Sequence, residues 1–360
     1  MKLYHPSLEC VQHGGKPLIG DGTTKSVLAF ASEIGCEGVQ LSHFHLLNPD
    51  GMSFVSAEVV QAALAAKKLK LSGISCHCLF WAHGAAKTGT TGVNKFIPKA
   101  MRGKRHKEIQ AWAEARIHEL MQLSASLGNY VMPMFWGPYW GLDVASGYPW
   151  GMWQGLPDAD DQEHDLLAEG DERFLRETQD IRDHANGLGI VLPHEIHRGT
   201  GALCARDLLR LKDLTGDDPC VTVIADGSHC WENEDIDARF DRVGHLVDAV
   251  HVKDHKVVPG ESLSSMEPDW KFRGMYFEKL GLGDLDLHRY VQIMMACGYP
   301  QRYRAIQKLP DDATVPLVVE AESAFAGLDE ASTDGVAFVR ENFCGDWATV
   351  SFEKAMGGGK

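Results

Sequence analysis

Short apolar runs alternate along this chain with longer segments in which apolar residues recur at every third or fourth position. The short runs are typical of buried strands, and the spacing of three or four is typical of amphipathic helices. The clearest helical pattern covers residues 104–127, and Gly128 follows it at the position where glycine commonly ends a helix. Regular alternation of strand and helix predicts repeated βα units and a parallel sheet.

Eight of the apolar runs are predicted as strands. They cover residues 3–11, 38–41, 71–79, 130–135, 190–196, 221–225, 249–253 and 317–321. Eight parallel strands with intervening helices make up a (β/α)8 TIM barrel, so we expect an α/β fold in which residues 1–360 form a single barrel domain. The glycine-rich tail at 357–360 is expected to be flexible.

Two connections are too long to be simple turns. Residues 136–170 follow the fourth predicted strand, and residues 254–284 follow the seventh, at the strand ends where barrel enzymes carry their substrate loops. The aromatic residues of the first connection are Trp136, Tyr139, Trp140, Tyr148, Trp150 and Trp153. Their rings can stack on a sugar, with Trp136 as the substrate-binding candidate, or can equally form a packed cover or a partner surface.

Composition narrows the class of partners. Hydrophobic residues make up 44% of the chain and charged residues 24%, as in an ordinary globular protein. The net charge of −15 disfavours binding to the phosphate backbone of nucleic acids. No apolar run reaches the roughly 20 residues that a membrane span needs, and nine scattered cysteines suit a reducing compartment. We therefore expect a cytoplasmic protein with neither nucleic acid nor membrane as its partner.

Polar clusters stand at the ends of the last four predicted strands. They are the sequences HEIH at 194–197, DGSH at 226–229, HVKD at 251–254 and EAE at 320–322. The carboxyl ends of successive barrel strands meet at one mouth, so these clusters are expected to meet in space. Three carboxylates and one imidazole from them would suit one divalent ion. This mixture suits a harder ion such as Mn²⁺ better than a thiolate-lined zinc site would, so Mn²⁺ is preferred, with Mg²⁺, Co²⁺ and Zn²⁺ as the alternatives. The candidate metal ligands are Glu195, Asp226, His251 and Glu320.

This ordered set of residues resembles the xylose isomerase-like barrels, a superfamily of sugar isomerases, ketose 3-epimerases, inosose dehydratases and endonuclease IV-type repair enzymes. The resemblance extends over residues 3–322 and is most specific between 193 and 320. It implies that the four candidate ligands bind the metal, that Glu195 and Glu320 also exchange the substrate proton, and that His229 contacts the substrate. It further implies a small sugar as substrate and a homo-oligomer.

Some features depart from the small epimerases. They are the greater length, the aromatic connection after the fourth strand, the long loop after the seventh, and the HEIH form of the fifth motif. In these features the chain resembles the large subunits of C-glycoside deglycosidases and related enzymes that act on 3-oxo-glycosides. That resemblance implies a glycoside as substrate and a small β subunit as a partner. It also leaves His194 or His197 as an additional acid or base.

The expected chemistry is proton transfer beside a carbonyl group. A metal ion that polarises the carbonyl makes the adjacent C–H acidic enough for a carboxylate to remove its proton, which gives an enediolate. Return of the proton gives isomerisation or epimerisation, the first hypothesis. Loss of a group β to the carbonyl gives a lyase or deglycosidase reaction, the alternative.

A second acid is sought among His197, His229 and Lys253. Strand alternation places His197 on the same side as Glu195 and His194 on the other side, so His197 is preferred as the catalytic histidine. His229 and Lys253 are expected to bind the substrate.

Two other classes of function stay open. An endonuclease IV-type nuclease would need further metal ligands, and the acidic net charge argues against it. Candidates for such ligands are His43, His45, His77 and His83. A sugar sensor without catalytic activity would not need the complete carboxylate set, because several buried like charges are costly unless a metal neutralises them.

Overall fold

A parallel sheet is the central element of the computed structural model, which describes residues 2–20, 23–88, 91–142, 165–230, 234–263 and 269–345. The strands in chain order are β1 (Tyr4–Glu9), β2 (Gly38–Ser42), β3 (Lys70–Ser75), β4 (Leu192–Glu195), β5 (Val221–Asp226), β6 (Val247–Val252), β7 (Asp254–Val257), β8 (Met275–Glu278) and β9 (Val315–Val319). Seven of these described strands form the sheet in the order β3-β2-β1-β9-β6-β5-β4, while β7 and β8 pair with each other. The two edge strands of the sheet are β3 and β4. The sheet curls and brings these edges towards each other.

An irregular segment, residues 130–135, connects these two edges. On one side Ile74 N donates to Val131 O at 3.3 Å, and on the other Met134 N donates to Pro193 O at 2.9 Å. Pro133 lies within the segment and has no amide hydrogen to donate, which explains why the segment forms isolated bridges and no regular strand. The segment takes the place of the fourth predicted strand and closes the sheet into a barrel, so the predicted fold class is confirmed.

Helices connect most of the strands. They are α1 (Val27–Glu33), α2 (His43–Leu46), α3 (Ala57–Lys67), α4 (His77–Ala85), α5 (His106–Ser126), α6 (Leu166–Leu188), α7 (Ala205–Leu214), α8 (Ile236–Val243), α9 (Leu287–Ala296), α10 (Tyr299–Gln307) and α11 (Leu328–Phe343). The helix predicted over 104–127 is confirmed as α5, which buries Ile109, Ile117 and Leu120. No helix in the described ranges combines the length and the hydrophobicity that crossing a membrane requires.

Two predicted elements differ from the structure. The third strand was expected to extend to residue 79, but β3 ends at Ser75 and α4 begins at His77. A continuous apolar run does not by itself distinguish a strand from a helix, and here the run contains both. The long loop predicted at 254–284 contains the antiparallel pair β7 and β8. Most of the first long connection, residues 143–164, lies outside the described residues.

Candidate metal centre and active site

Four polar side chains converge where the barrel strands end. Glu195 ends β4, Asp226 ends β5, His251 lies near the end of β6, and Glu320 directly follows β9. One ligand atom from each residue lies within 4.8 Å of the others, and all four side chains are buried. The convergence follows from the parallel strands, whose carboxyl ends meet at one mouth of the barrel.

Short contacts join the members of this acidic cluster. His251 Nδ1 lies 3.1 Å from Glu320 Oε2 and 3.7 Å from Glu195 Oε2. His229 Nε2 lies 3.0 Å from Glu195 Oε1 and 3.5 Å from Asp226 Oδ2. The two glutamates therefore present their Oε2 atoms to the same nitrogen, and His229 faces the cluster from a second side.

Several atoms of the cluster lack a hydrogen bond although they are buried. These atoms are Asp226 Oδ2, His251 Nδ1 and Glu320 Oε2. They lie close to one another, but their angles do not fit hydrogen bonds. Burial and then the negative charge of Glu195 raise the pKa of Asp226 to about 7. Unpaired buried acceptors and excess negative charge are costly, and a cation in their midst removes both costs. This donor set therefore fits a divalent metal ion.

Lys253 borders the cluster beside Glu320. Its Nζ lies 3.3 Å from Glu320 Oε1, 2.8 Å from Glu322 Oε2 and 3.9 Å from the centre of the Phe277 ring. Gln12 Nε2 donates to the same Glu320 Oε1 at 2.6 Å. Burial alone would raise the pKa of Glu320, but the charge of Lys253 and the contact with His251 together outweigh it and hold the pKa at about 2. Glu320 is thus ionised, with Oε1 held in place and Oε2 facing the cluster.

A cavity of 530 Å³ opens directly above the cluster. Glu195 and Glu320 lie at its wall, and the polar and aromatic side chains that also line it include Gln12, His77, Phe135, His197, Lys253 and Phe277. His77 Nε2 lies 3.2 Å from Glu195 Oε2. The cavity lies within the roughly 300–1,000 Å³ that is typical of small-molecule sites, and it gives such a molecule access to both glutamates.

The β7–β8 hairpin supplies one wall of this cavity. Phe277 of β8 lies 5.5 Å from the ring of His229. The hairpin is tied down by the buried carboxylate of Asp254, which accepts hydrogen bonds from Gly281 N and Gly283 N, each at 3.0 Å, and from Leu285 N at 3.2 Å. The carboxylate of Asp254, at the start of β7, thus holds the segment that follows β8 in place.

The two histidines of the HEIH sequence have different surroundings. His197 lines the cavity, and its ring lies 4.5 Å from that of His229 and 5.2 Å from that of Phe135. His194 is fully buried, and its Nδ1 accepts a hydrogen bond from Trp136 N at 2.9 Å. Of the two, therefore, His197 is the one placed to contact a bound molecule.

Trp136 does not lie where a substrate platform requires it. Its side chain is fully buried and packs edge-on against Phe80 and Phe174, at ring distances of 5.5 and 5.3 Å. Tyr139 and Trp140 pack on Phe174 as well. The described part of the aromatic connection is thus a packed cover, and the substrate-binding role expected for Trp136 is corrected. Tyr148, Trp150 and Trp153 lie outside the described residues.

Of the histidines near the second and third strands, one lines the cavity and the others are buried away from it. His77 reaches the cavity, but His83 Nδ1 bonds Tyr139 Oη at 2.7 Å and His45 Nε2 bonds His13 O at 3.2 Å. His43 is buried. In the part of the chain that the structure describes, these residues form no second group of metal ligands.

In the first half of the barrel, sequence reasoning named only histidines as candidates and missed three other residues that contact the site. Glu9 at the end of β1 and Gln40 in β2 both lie against His251, and Gln12 bonds Glu320. Glu9 carried a weaker signal, because the first predicted strand extends to residue 11 and contains Glu9, whereas β1 ends at Glu9. Phe277 carried no such signal, since its position depends on the fold of the hairpin.

Comparisons with known proteins agree with this geometry. The family model for xylose isomerase-like TIM barrels matches residues 28–310. A search of curated protein sequences found no match. Among solved structures, a D-allulose 3-epimerase from a Methylomonas species is 13% identical with a TM-score of 0.56, and the match covers 95% of this chain and 98% of that one.

Two further solved structures are similar to the same extent. A 3-keto-D-glucoside 4-epimerase from E. coli is 16% identical with a TM-score of 0.54, over 94% of this chain and 99% of that one. A xylose isomerase-like TIM barrel protein from Mycobacterium smegmatis, in complex with magnesium, is 13% identical with a TM-score of 0.56, over 94% and 96%. At such low identities, these structural matches establish a shared fold and nothing more. Because the family model covers most of its length, the chain belongs to the xylose isomerase-like TIM barrel family.

Proposed function

We propose that this protein is a divalent-metal-dependent sugar isomerase or epimerase that transfers a proton at a carbon next to a carbonyl group. The observation that carries the proposal is the acidic cluster, in which two glutamates and an aspartate share one buried point with His251 and face a cavity. Two proteins of similar fold are a D-allulose 3-epimerase and a 3-keto-D-glucoside 4-epimerase, which supports a sugar as the substrate.

The metal would be held by the four residues of the acidic cluster. Three carboxylates and an imidazole suit Mn²⁺, which we favour, and a protein of similar fold was crystallised with magnesium. When bound, the ion would polarise the carbonyl oxygen of the substrate and so acidify the neighbouring C–H group.

The two glutamates are assigned to the proton transfer. Glu195 and Glu320 come from β4 and from the end of β9, so they reach the cavity from different strands. Their Oε1 atoms are oriented by other side chains, His229 for Glu195 and Lys253 with Gln12 for Glu320. A carboxylate on each side of a sugar carbon can remove its proton on one face and return a proton on the other, which is the requirement for epimerisation.

Three further residues are assigned to the substrate. His229 and Lys253 would donate hydrogen bonds to sugar oxygens, because His229 lies beside Glu195 and Lys253 lines the cavity beside Glu320. His197 lines the cavity and contacts no carboxylate ligand, so it is the candidate for a second acid.

That position of His197 favours elimination from a 3-oxo-glycoside as a second candidate reaction. An acid that is free of the metal ligands can protonate a departing group, which isomerisation does not require. The two reactions share the first proton removal and differ in whether a bond to the group β to the carbonyl then breaks.

The test is deuterium incorporation by the Mn²⁺-loaded protein in D₂O, followed by ¹H NMR after the metal is removed. Free ketoses and 3-oxo-glycosides are the substrates. We expect deuterium at the carbon next to the carbonyl, and Glu195→Gln should lower the rate by at least about 10²-fold because the general base is lost. Glu330→Gln, which changes an exposed carboxylate of α11, is the matched control and should exchange like the wild type.

The product identifies the reaction. A new stereoisomer or a ketose–aldose pair supports the isomerase, and a released aglycone supports elimination. If no substrate exchanges although the protein binds Mn²⁺, the proton-transfer proposal is wrong.

A further inference from the structure

One carboxylate that lines the cavity does not belong to the acidic cluster. Glu322 follows Glu320 by two residues, and its side chain is 35% exposed, whereas that of Glu320 is 9% exposed. Glu322 is therefore in contact with both the cavity and the solvent. A molecule that enters the cavity meets its negative charge.

Lys253 is the cation that Glu322 contacts. Its Nζ lies 2.8 Å from Glu322 Oε2 and 3.3 Å from Glu320 Oε1. Among the residues that the structure describes, no other lysine or arginine lines the cavity. The charge of this single cation is therefore already shared between two carboxylates of the protein.

The surroundings of Lys253 leave little for a charged ligand. An ammonium group has three hydrogens, and contacts with two carboxylates use two of them, so one remains. The ring of Phe277 covers a further side, with its centre 3.9 Å from Nζ. One hydrogen can serve a sugar hydroxyl group. A phosphate group has three strongly accepting oxygens and needs several donors.

A count of charges identifies Glu322 as the surplus group when the histidines of the site are taken as neutral. With a divalent ion bound, the acidic cluster contributes three negative charges, and the ion and Lys253 contribute three positive charges. Glu322 adds one negative charge to this balanced set. A nearby anion is repelled by that charge, whereas an uncharged molecule is not.

From these contacts and charges we infer that Glu322 is a specificity-determining residue, which makes the cavity select uncharged sugars and glycosides over sugar phosphates and sugar acids. The inference rests on the proposed function for the sugar and the ion, and it names the class of sugar. Glu322 acts twice in the same direction, because it engages the cation that would attract an anion and also repels the anion itself.

The experiment measures how matched pairs of sugars bind to the Mn²⁺-loaded protein. D-fructose, D-allulose and D-ribulose are each compared with their terminal phosphate ester, and methyl 3-oxo-glucoside is compared with the corresponding 3-oxo-glucuronide. Binding is measured from the relaxation that Mn²⁺ induces in the sugar protons, by ¹H NMR, with the protein in excess over Mn²⁺. The wild type should bind the uncharged member of a pair about 10–100-fold more tightly than the charged member.

Glu322→Gln keeps the length of the side chain and removes the surplus charge. The preference for the uncharged sugar should fall about 10-fold, while the affinity for that sugar stays within about threefold of the wild type. Glu330→Gln is the matched control, because it removes the same charge from a glutamate that pairs with Lys279 and does not line the cavity. It should keep the preference of the wild type.

Salt distinguishes an effect of charge from an effect of shape. Raising the salt concentration from about 0.05 M to about 0.5 M should weaken the preference of the wild type and leave that of Glu322→Gln nearly unchanged. A wild type that binds both members of a pair equally, or a Glu322→Gln variant with the wild-type preference, would overturn the role of Glu322 and leave the proposed function intact. If no sugar of any pair binds although Mn²⁺ does, the proposed function fails and the inference fails with it.

Discussion

Two buried aspartates lie on either side of strand β5, Asp218 in the connection before it and Asp226 at its carboxyl end, and they differ in how their oxygens are bonded. At the amino end, Asp218 Oδ2 accepts from Arg182 at 2.8 Å, and Oδ1 accepts from Asn186 at 2.8 Å and from Cys220 N at 3.1 Å. At the carboxyl end, Asp226 Oδ1 accepts from Ser228 N at 2.8 Å, and Oδ2 accepts no hydrogen bond.

The pKa values of the two groups differ accordingly. Burial acts to raise the pKa of Asp218, but hydrogen bonds from Asn186 and Arg182 outweigh it and lower the pKa. At Asp226, burial and the charge of Glu195 act together and raise the pKa to about 7. The amino end of this strand is therefore completed by the protein itself, whereas the carboxyl end keeps an acceptor that only a ligand can satisfy. This is the usual division between stability and activity in α/β barrels.

The largest effect is expected from Arg182→Met, which removes the cation beside Asp218 and keeps most of the side-chain stem. Asp218 would then be a buried carboxylate without its charged partner, and the free energy of unfolding should fall by about 3–5 kcal/mol in urea denaturation. Arg289→Met, at the exposed pair with Asp237, is the control and should unfold at the urea concentration of the wild type. An Arg182→Met protein as stable as the wild type would show that Asp218 needs no cation.

The opposite behaviour is expected at the other end of β5. Asp226→Asn keeps the acceptor for Ser228 N and removes a buried negative charge whose Oδ2 accepts no hydrogen bond, so the metal-free protein should be at least as stable as the wild type. With free Mn²⁺ at 100 times its dissociation constant, the wild type should gain about 2.7 kcal/mol in the free energy of unfolding, and the variant should gain far less. Urea denaturation with and without Mn²⁺ measures both. A large loss of stability without metal would place Asp226 among the structural residues and end the contrast with Asp218.

The sequence was sufficient to predict the part of the site that depends on strand ends. Glu195, Asp226 and Glu320 each follow an apolar run, and the carboxyl ends of parallel strands converge whatever the details of the loops. The barrel itself could also be predicted, since each strand and helix was recognised from its own hydrophobic period and the strands were then counted. Even the irregular segment at 130–135 was located, although Pro133 prevents it from forming a full ladder.

What the sequence did not reveal depends on contacts between distant residues. The sequence leaves Trp136 open as a substrate platform or as part of a packed cover. Phe80 and Phe174 bury it, and neither contact is visible from spacing along the chain. Gln40 is separated from His251 by 211 positions, and a glutamine within a short strand gives no local sign of a partner across the barrel. The cavity wall at Phe277 required the hairpin to fold back over the mouth.

The smallest effect is expected at Asp254. This residue tests whether Asp218 and Asp226 differ in role because of where they lie or because of how their oxygens are bonded. Asp254 lies near the same mouth as Asp226, yet both of its oxygens accept main-chain hydrogen bonds, including those from Gly281 and Gly283. If bonding decides, Asp254→Asn should behave as a milder form of Arg182→Met. Its amide nitrogen would face two N–H groups, and the free energy of unfolding should fall by about 1–2 kcal/mol, since water can reach the exposed turn.

In this variant Mn²⁺ affinity should stay unchanged, because Asp254 contributes no atom to the acidic cluster. The looser hairpin should instead raise KM more than it lowers kcat, because Phe277 forms part of the cavity wall. Calorimetry with Mn²⁺ and steady-state kinetics separate the two effects. A fall in Mn²⁺ affinity with unchanged stability would mean that proximity to the barrel mouth, and not an unpaired oxygen, marks the functional carboxylates of this protein.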